Sequence, residues 1–148
     1  MENKNFNLDR FLGAQERMYP VALREMTNGR KQSHWMWFIF PQLRELGRSH
    51  TALYYGIENI HEAKAYLAHP VLGARLREIS AVLLTLDASD PLALMGFPDN
   101  RKLCSCMTLF SKAAEDNQVF LDVLQKFFGG VADSRTIEIL ERNELSGN

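Results

Sequence analysis

The chain has 148 residues, of which 46% are hydrophobic and 24% charged, and its formal net charge is −1. These values are ordinary for a soluble globular protein, and this length suffices for one domain with its own hydrophobic core. Because the charge is close to zero, no global field would draw the protein to nucleic acid or to an anionic membrane, and we expect neither partner.

No feature of the sequence indicates export or insertion into a membrane. Its first residues contain no apolar run of the signal-peptide type. The longest apolar stretch, residues 35–40, is far too short to span a bilayer. Two cysteines, Cys104 and Cys106, cannot form a disulfide framework. We therefore expect a protein of the reducing cytoplasm.

The first fifty residues carry a small excess of basic side chains, with eight Lys and Arg against five Asp and Glu. These charges are spread along the segment rather than grouped. We interpret them as a solvated face. The alternative interpretation is a phosphate-binding patch.

Helix signals begin close to the N terminus. Asn7 is placed to cap a first helix. The side chains expected on its inner face are Leu8, Phe11, Leu12, Gln15 and Met18. Pro20 fits the first turn of a second helix, which Gly29 closes. The sequence therefore predicts two helices before residue 30.

Residues 33–42 form the most distinctive segment, because both tryptophans of the chain lie there among phenylalanine, methionine and isoleucine. So dense an apolar block must be buried. Ser33 predicts a cap, and we expect a helix over residues 34–40. Pro41 should break or kink it, since proline lacks an N–H and disfavours helical angles in the residue before it. The alternative, a buried strand, is disfavoured by the helical patterns on both sides.

The middle of the chain continues the pattern of short helices. Ser49 starts a turn that stops at Gly56, and Asn59 has capping-box spacing to Glu62 before a helix that reaches residue 68. Pro70 begins the longest pattern, in which apolar side chains recur at steps of three and four. These are Val71, Leu72, Leu76, Ile79, Leu83 and Leu86.

Four more helix starts follow in the C-terminal third. They are Ser89 with Pro91, then Asp99, Asn117 and Ser134. The first of these helices should end near Gly96, and the second should include residues 103–110. The third should stop at the glycine pair after residue 128, and the fourth should cover residues 136–140. No alternating strand with a hairpin signal is present.

These patterns together predict an all-α fold. We expect a single compact domain over residues 1–148, built from about seven to nine short helices around a central aromatic helix. The ends, residues 1–6 and 143–148, should be frayed. The sequence contains no linker, repeat or low-complexity stretch that would divide the chain.

Several strings in the chain resemble one bacterial family. They are SHWMWFIFPQ (33–42), GRS (47–49), YLAHPVLG (66–73), and the segment from Lys102 through Ser105 to MTLF (107–110). The family is domain of unknown function 1810, and the resemblance covers residues 8–140. It implies a small, single-domain, all-helical cytoplasmic protein, and it implies no activity.

One departure from the family pattern bears on chemistry. Where the family usually has two adjacent serines, this chain has Ser105 followed by Cys106. A reaction that required the second hydroxyl would therefore be lost here. The automatic label calpastatin that members often carry does not fit, because animal calpastatins are long disordered inhibitors and this chain is compact and aromatic.

The candidate site residues lie in two of these strings. Ser105 and Thr108 are one helical turn apart, and Lys102 lies one turn before them, which suits a phosphate or carboxylate. The alternative is that both hydroxyls bond to carbonyls of their own helix. His34 is the candidate for proton transfer, since histidine titrates near neutral pH, or else it is a hydrogen-bonding residue at a helix end. Gln42 either joins a buried polar network or contacts a ligand.

Three further side chains complete the set. Trp35 and Trp37 could stack on a flat ligand such as a nucleobase, with structural packing as the alternative. His69 precedes Pro70 and either lines a pocket or hydrogen-bonds within the turn. No metal site is expected, because residues two apart on a helix point about 200° apart and the four histidines lack paired spacing. We also predict no cofactor.

Three functional hypotheses remain open at this point. The first is a pocket for a small, flat or anionic ligand such as a nucleotide. It would either bind the ligand only or act as an enzyme, with His34 transferring a proton and Lys102 with Ser105 holding an anion. The second is a non-enzymatic protein-interaction module with an exposed aromatic surface. The third is weak nucleic-acid binding through the basic first third, which the net charge disfavours.

Overall fold

A computed structural model describes residues 6–146 of the chain. Within that range the protein is all-α, as predicted, with nine α-helices and one 3-10 turn (Arg44–Leu46). The helices are α1 (Asp9–Thr27), α2 (Met36–Ile39), α3 (His50–Tyr54), α4 (Ile60–Ala68), α5 (Leu72–Leu84), α6 (Pro91–Met95), α7 (Asp99–Ala113), α8 (Gln118–Phe128) and α9 (Ser134–Leu145). The only extended pairing in the described part of the chain is a single parallel bridge between Leu43 and Ile57.

The N-terminal segment is one helix rather than two. Helix α1 continues through Pro20, which the sequence placed at the start of a second helix. Pro20 is exposed, and the helix continues because Phe11, Ala22 and Met26 lie fully buried along one face on both sides of it. Burial of that face outweighs the one backbone hydrogen bond that proline removes.

The aromatic block lies in the core, but its helix is shorter than predicted. Helix α2 covers four residues instead of seven, and the chain leaves it at Phe40, whose φ of −122° and ψ of 72° are not helical. The helix therefore ends just before Pro41, as the sequence predicted. Ser33 does not cap the helix, because its hydroxyl donates to Glu25 instead.

Helix α7 is the most deeply packed element. It contacts α4, α6, α8 and α9, and nine of its fifteen residues are buried. Its core side chains include Leu103, Met107 and Phe110, which are fully buried. The helix therefore lies at the centre of the fold, between four other helices.

The HPVLG string marks a close crossing of two helices. A Cβ atom added to Gly73 would lie 2.0 Å from the carbonyl oxygen of Leu67, so only glycine allows α5 to start against the end of α4. The start of α5 is also two residues later than Pro70, the predicted first residue. This crossing is the physical reason for the glycine in that string.

An ion pair that is nearly excluded from solvent ties α1 to α4. The Arg10 guanidinium lies 2.9 Å from the Glu62 carboxylate, and the two side chains are only 6% and 3% exposed. Arg10 also donates to the carbonyls of Tyr54 and Gly56, at 2.8 and 2.9 Å. It therefore fixes the loop between α3 and α4 from a distant part of the chain.

The predicted helix caps are partly correct. The side chains of Ser49 and Asn59 accept hydrogen bonds from backbone N–H groups at the starts of α3 and α4, as expected. At α6 and α9 the cap is instead the aspartate next to the predicted serine, Asp90 and Asp133 respectively. A carboxylate is a stronger acceptor than a hydroxyl and also opposes the helix dipole.

The chain ends differ in part from the prediction. Helix α9 runs to Leu145, beyond Asn143, where the sequence predicted fraying. Residues 1–5 and 147–148 of the predicted frayed ends lie outside the described residues. Among residues 6–146, no helix combines the length and the apolar character needed to cross a bilayer.

Candidate functional site

The first half of the aromatic block is held by one buried carboxylate. Glu25 accepts hydrogen bonds from the backbone N–H groups of Gln32 and Ser33, from the Ser33 hydroxyl, and from the Trp35 indole at 2.8 Å. Burial acts to raise the pKa of Glu25, but these donors outweigh it and lower the pKa to about 2. The carboxylate therefore stays charged and orders the loop after α1.

This arrangement sets the places of two candidate residues. Trp35 is fully buried, and its indole N–H is bonded to Glu25. His34 lies on the exposed side of the same turn. The two neighbours thus point in different directions, one into the core and one to solvent.

A second buried network surrounds Gln15, which the sequence placed only on an inner helical face. Its amide donates to the Phe38 carbonyl at 2.8 Å and to the Tyr66 hydroxyl at 3.1 Å, and it accepts from Arg75 at 3.2 Å. Burial raises the pKa of Tyr66 above its ordinary value. The network connects α1 to the aromatic block, α4 and α5, and its members come from four separate segments, so no local pattern could reveal it.

Three other candidates make structural hydrogen bonds. The Nδ1 atom of His69 accepts from the N–H groups of Val71 and Leu72, at 3.1 and 3.3 Å, and so caps α5. The Ser105 hydroxyl donates to the Arg101 carbonyl of its own helix at 3.2 Å. The Thr108 hydroxyl accepts from the backbone N–H of Asp133 at 2.8 Å, which anchors the start of α9.

Trp37, Gln42 and Lys102 come together in one small cleft, which we call the aromatic cleft. It is closed by α2, the segment after it, the end of α3 and the first turns of α7. The remaining lining residues are Met36, Phe40, Ala52, Tyr55 and Gly56. Its volume is about 10 Å³, which is room for about one water molecule.

One lining residue of the cleft has a polar atom without a partner. The indole Nε1 of Trp37 is buried and makes no hydrogen bond within the protein. A buried donor left unpaired costs about 1–3 kcal/mol, so such groups usually meet a water molecule or a ligand. The Trp37 indole therefore differs from that of Trp35, whose N–H is satisfied internally.

Lys102 supplies positive charge at the same place. Its Nζ atom lies 5.5 Å from the centre of the Trp37 ring, within the range of a cation–π contact. Its carboxylate neighbour, Asp99, is 3.8 Å away and is held more closely by Lys31, at 2.8 Å. The Lys102 ammonium thus keeps the capacity to bind a further acceptor.

The cysteines of α7 lack the features of reactive thiols. Burial raises the pKa of Cys104 to about 11 and that of Cys106 well above its ordinary value. Both thiols therefore stay protonated and weakly nucleophilic at neutral pH. In the described part of the chain, no three His, Cys, Asp or Glu side chains are grouped as metal ligands.

A larger depression, which we call the charged groove, lies between α4, α7 and α9. Its volume is about 430 Å³. Lys64 and Lys112 line it from α4 and α7, and Glu141 and Glu144 line it from α9. None of the candidate residues from the sequence lies there, because these four charges are spread over three distant segments and resemble ordinary surface positions.

Fold and site together define a small all-helical protein with an aromatic cleft beside its central helix. The chain belongs to the family DUF1810, described as "Protein of unknown function (DUF1810)", whose model matches residues 5–140. This confirms the family that the sequence strings indicated.

A solved structure extends the comparison. The chain is similar to the conserved hypothetical protein Rv1873 from Mycobacterium tuberculosis, with 46% identity and a TM-score of 0.90. The match covers 92% of this chain and 97% of that one. No curated protein matches the chain.

Proposed function

We propose that the protein binds a small anionic metabolite at the aromatic cleft, with an oxygen of the anionic group accepting from the Trp37 indole and from Lys102. The observation that carries the proposal is the buried, unpaired Nε1 atom of Trp37 beside a cation that retains donor capacity. A carboxylate or phosphate oxygen would satisfy both groups at once.

The size of the cleft limits what can enter it. A volume of about 10 Å³ admits one oxygen atom or one water molecule and excludes a ring. The flat part of a nucleotide-like ligand would therefore lie outside, over the half-buried side chains of Gln42 and Tyr55. Gln42 has an amide that can both donate and accept at that mouth.

Binding, rather than catalysis, is the function that this geometry favours. His34, the candidate for proton transfer, does not line the cleft, and the Ser105 hydroxyl is bonded within its own helix. The protein-interaction hypothesis rests on exposure of the aromatic block, in which Trp35 is fully buried and Trp37 is half-buried. We therefore take the small-ligand hypothesis as the better supported.

Nuclear magnetic resonance of the two indole N–H groups tests the proposal. The protein is titrated separately with adenosine monophosphate, nicotinamide adenine dinucleotide, citrate and inorganic phosphate. At least one of these probes should move the Trp37 signal and leave that of Trp35 in place. Lys102→Gln should weaken the binding of the active probe about tenfold or more, because it removes a charged hydrogen-bond donor.

A matched control lies on the same helix. Arg101→Gln changes an exposed basic residue of α7 that lines neither the aromatic cleft nor the charged groove, and it should bind the probe like the wild type. If no probe moves the Trp37 signal, or if Lys102→Gln binds as well as the wild type, the proposal is wrong.

A further inference from the structure

We propose that the charged groove is a second, independent binding site, and that it takes a di- or tripeptide with free termini and apolar side chains. The peptide carboxylate would contact Lys64 and Lys112, and its ammonium would contact Glu141 and Glu144. This proposal does not depend on the aromatic cleft, which shares no lining residue with the groove.

The charges of the groove are separated by sign. Both cations come from α4 and α7, while both carboxylates come from α9, where a spacing of three places them on one helical face. Within residues 6–146, no ion pair closer than 4.0 Å involves any of the four. Two cations and two anions thus line the same groove, and none of the four forms an ion pair among the described residues.

The groove is also lined by apolar side chains, together with Asn59 and Asn143. Ile60, Ile137 and Leu140 line the groove and are half-buried. The volume of about 430 Å³ falls within the range of small-ligand sites, about 300–1,000 Å³. Apolar side chains of a ligand would cover this strip and remove it from water.

This charge pattern selects among ligand classes. A nucleotide or other dianion would meet repulsion from Glu141 and Glu144, and a polyamine would meet it from Lys64 and Lys112. A molecule with one charge of each sign at its two ends and an apolar middle avoids both. In a peptide of two or three residues the ends are on the order of 7–10 Å apart, which allows its two ends to contact charges of different sign.

Titration with leucyl-leucine, followed by isothermal calorimetry and by the methyl signals of Ile137 and Leu140, tests the proposal. We expect saturable binding that moves these methyl signals. N-acetylation and C-terminal amidation of the dipeptide should each weaken binding about two- to fivefold, which is the strength of an exposed ion pair.

Protein variants assign each terminus to a wall. Lys112→Gln should weaken binding of the free dipeptide and have little further effect on binding of the amidated dipeptide. Glu141→Gln should also weaken binding of the free dipeptide, and it should have little further effect on binding of the acetylated dipeptide. Both positions are exposed, so neither change should affect folding. Arg101→Gln, on the same helix as Lys112 but outside both the groove and the aromatic cleft, is the control.

Three outcomes would overturn the inference. They are the absence of binding, binding of the blocked dipeptides that is as tight as that of the free dipeptide, and binding by the two groove variants that is as tight as that by the wild type. A concentration-dependent dimer in analytical ultracentrifugation that Glu141→Gln abolishes would also contradict it, since the groove would then be covered by a second copy of the chain.

Discussion

The indole Nε1 of Trp35 donates a 2.8 Å hydrogen bond to the carboxylate of Glu25, and this bond joins the aromatic block to the first helix. The same carboxylate accepts three further hydrogen bonds from the loop between them. A single buried acid thus organises the segment by which the family is most easily distinguished. Its energetic contribution can be measured.

Replacing Glu25 should make stability depend less on pH. The pKa of Glu25 lies at about 2 in the folded protein against an ordinary 4.5. Its stabilisation is therefore complete above pH 4.5 and is lost as pH falls from 4.5 to 2, a difference of about 3 kcal/mol. In urea denaturation, Glu25→Gln should be less stable than wild type at pH 7, and the gap should close toward pH 2. Glu16→Gln, an exposed change on the same helix, should show no such convergence.

Gly73→Ala should destabilise the protein by about 2 kcal/mol or more, because the new Cβ atom would overlap the Leu67 carbonyl oxygen and push α5 from α4. Gly13→Ala is the matched control: nothing lies within 4 Å of a Cβ atom there. That change should stabilise helix α1 by about 0.5–1 kcal/mol. Thermal unfolding of the two variants decides the point, and similar midpoints would show that the crossing is not tight.

Breaking the Arg10–Glu62 pair should be costly, since one charge would remain buried alone. We expect Arg10→Met to lower the free energy of unfolding by about 3–5 kcal/mol. The exposed pair between Arg142 and Glu45 offers the comparison. Arg142→Gln should lower the free energy of unfolding by no more than about 1 kcal/mol. Equal effects in chemical denaturation would mean that Arg10 contributes no more than a surface charge.

His69 should act as a helix cap. His69→Ala removes the acceptor for the first N–H groups of α5 and should lower stability by about 1 kcal/mol. His69→Asn retains a side-chain acceptor at this position and should lose less. Hydrogen exchange at Leu72 provides a local measurement, since only the loss of the cap should speed exchange at that amide. Unchanged exchange in the alanine variant would rule out the capping role.

The all-α class and most helices followed from local signals, because capping residues, apolar spacing and glycine stops act within one or two turns. The division of α1 at Pro20 was wrong for the same reason. The rule for proline is local, whereas the apolar face that carries the helix past it is buried by distant segments. The cap predicted for α2 was wrong in the same way, since Ser33 donates to Glu25, which is distant from α2, and no side chain caps that helix.

The sequence by itself determined the family, the helical class and the burial of the aromatic block, since these depend on residue order and on how strongly each side chain avoids water. Only the tertiary structure decided that Trp37, Gln42 and Lys102 share a cleft while Ser105 and Thr108 bond within the fold. Hydrogen bonds act over about 3 Å. Whether two groups distant in sequence come that close is set by how whole helices pack.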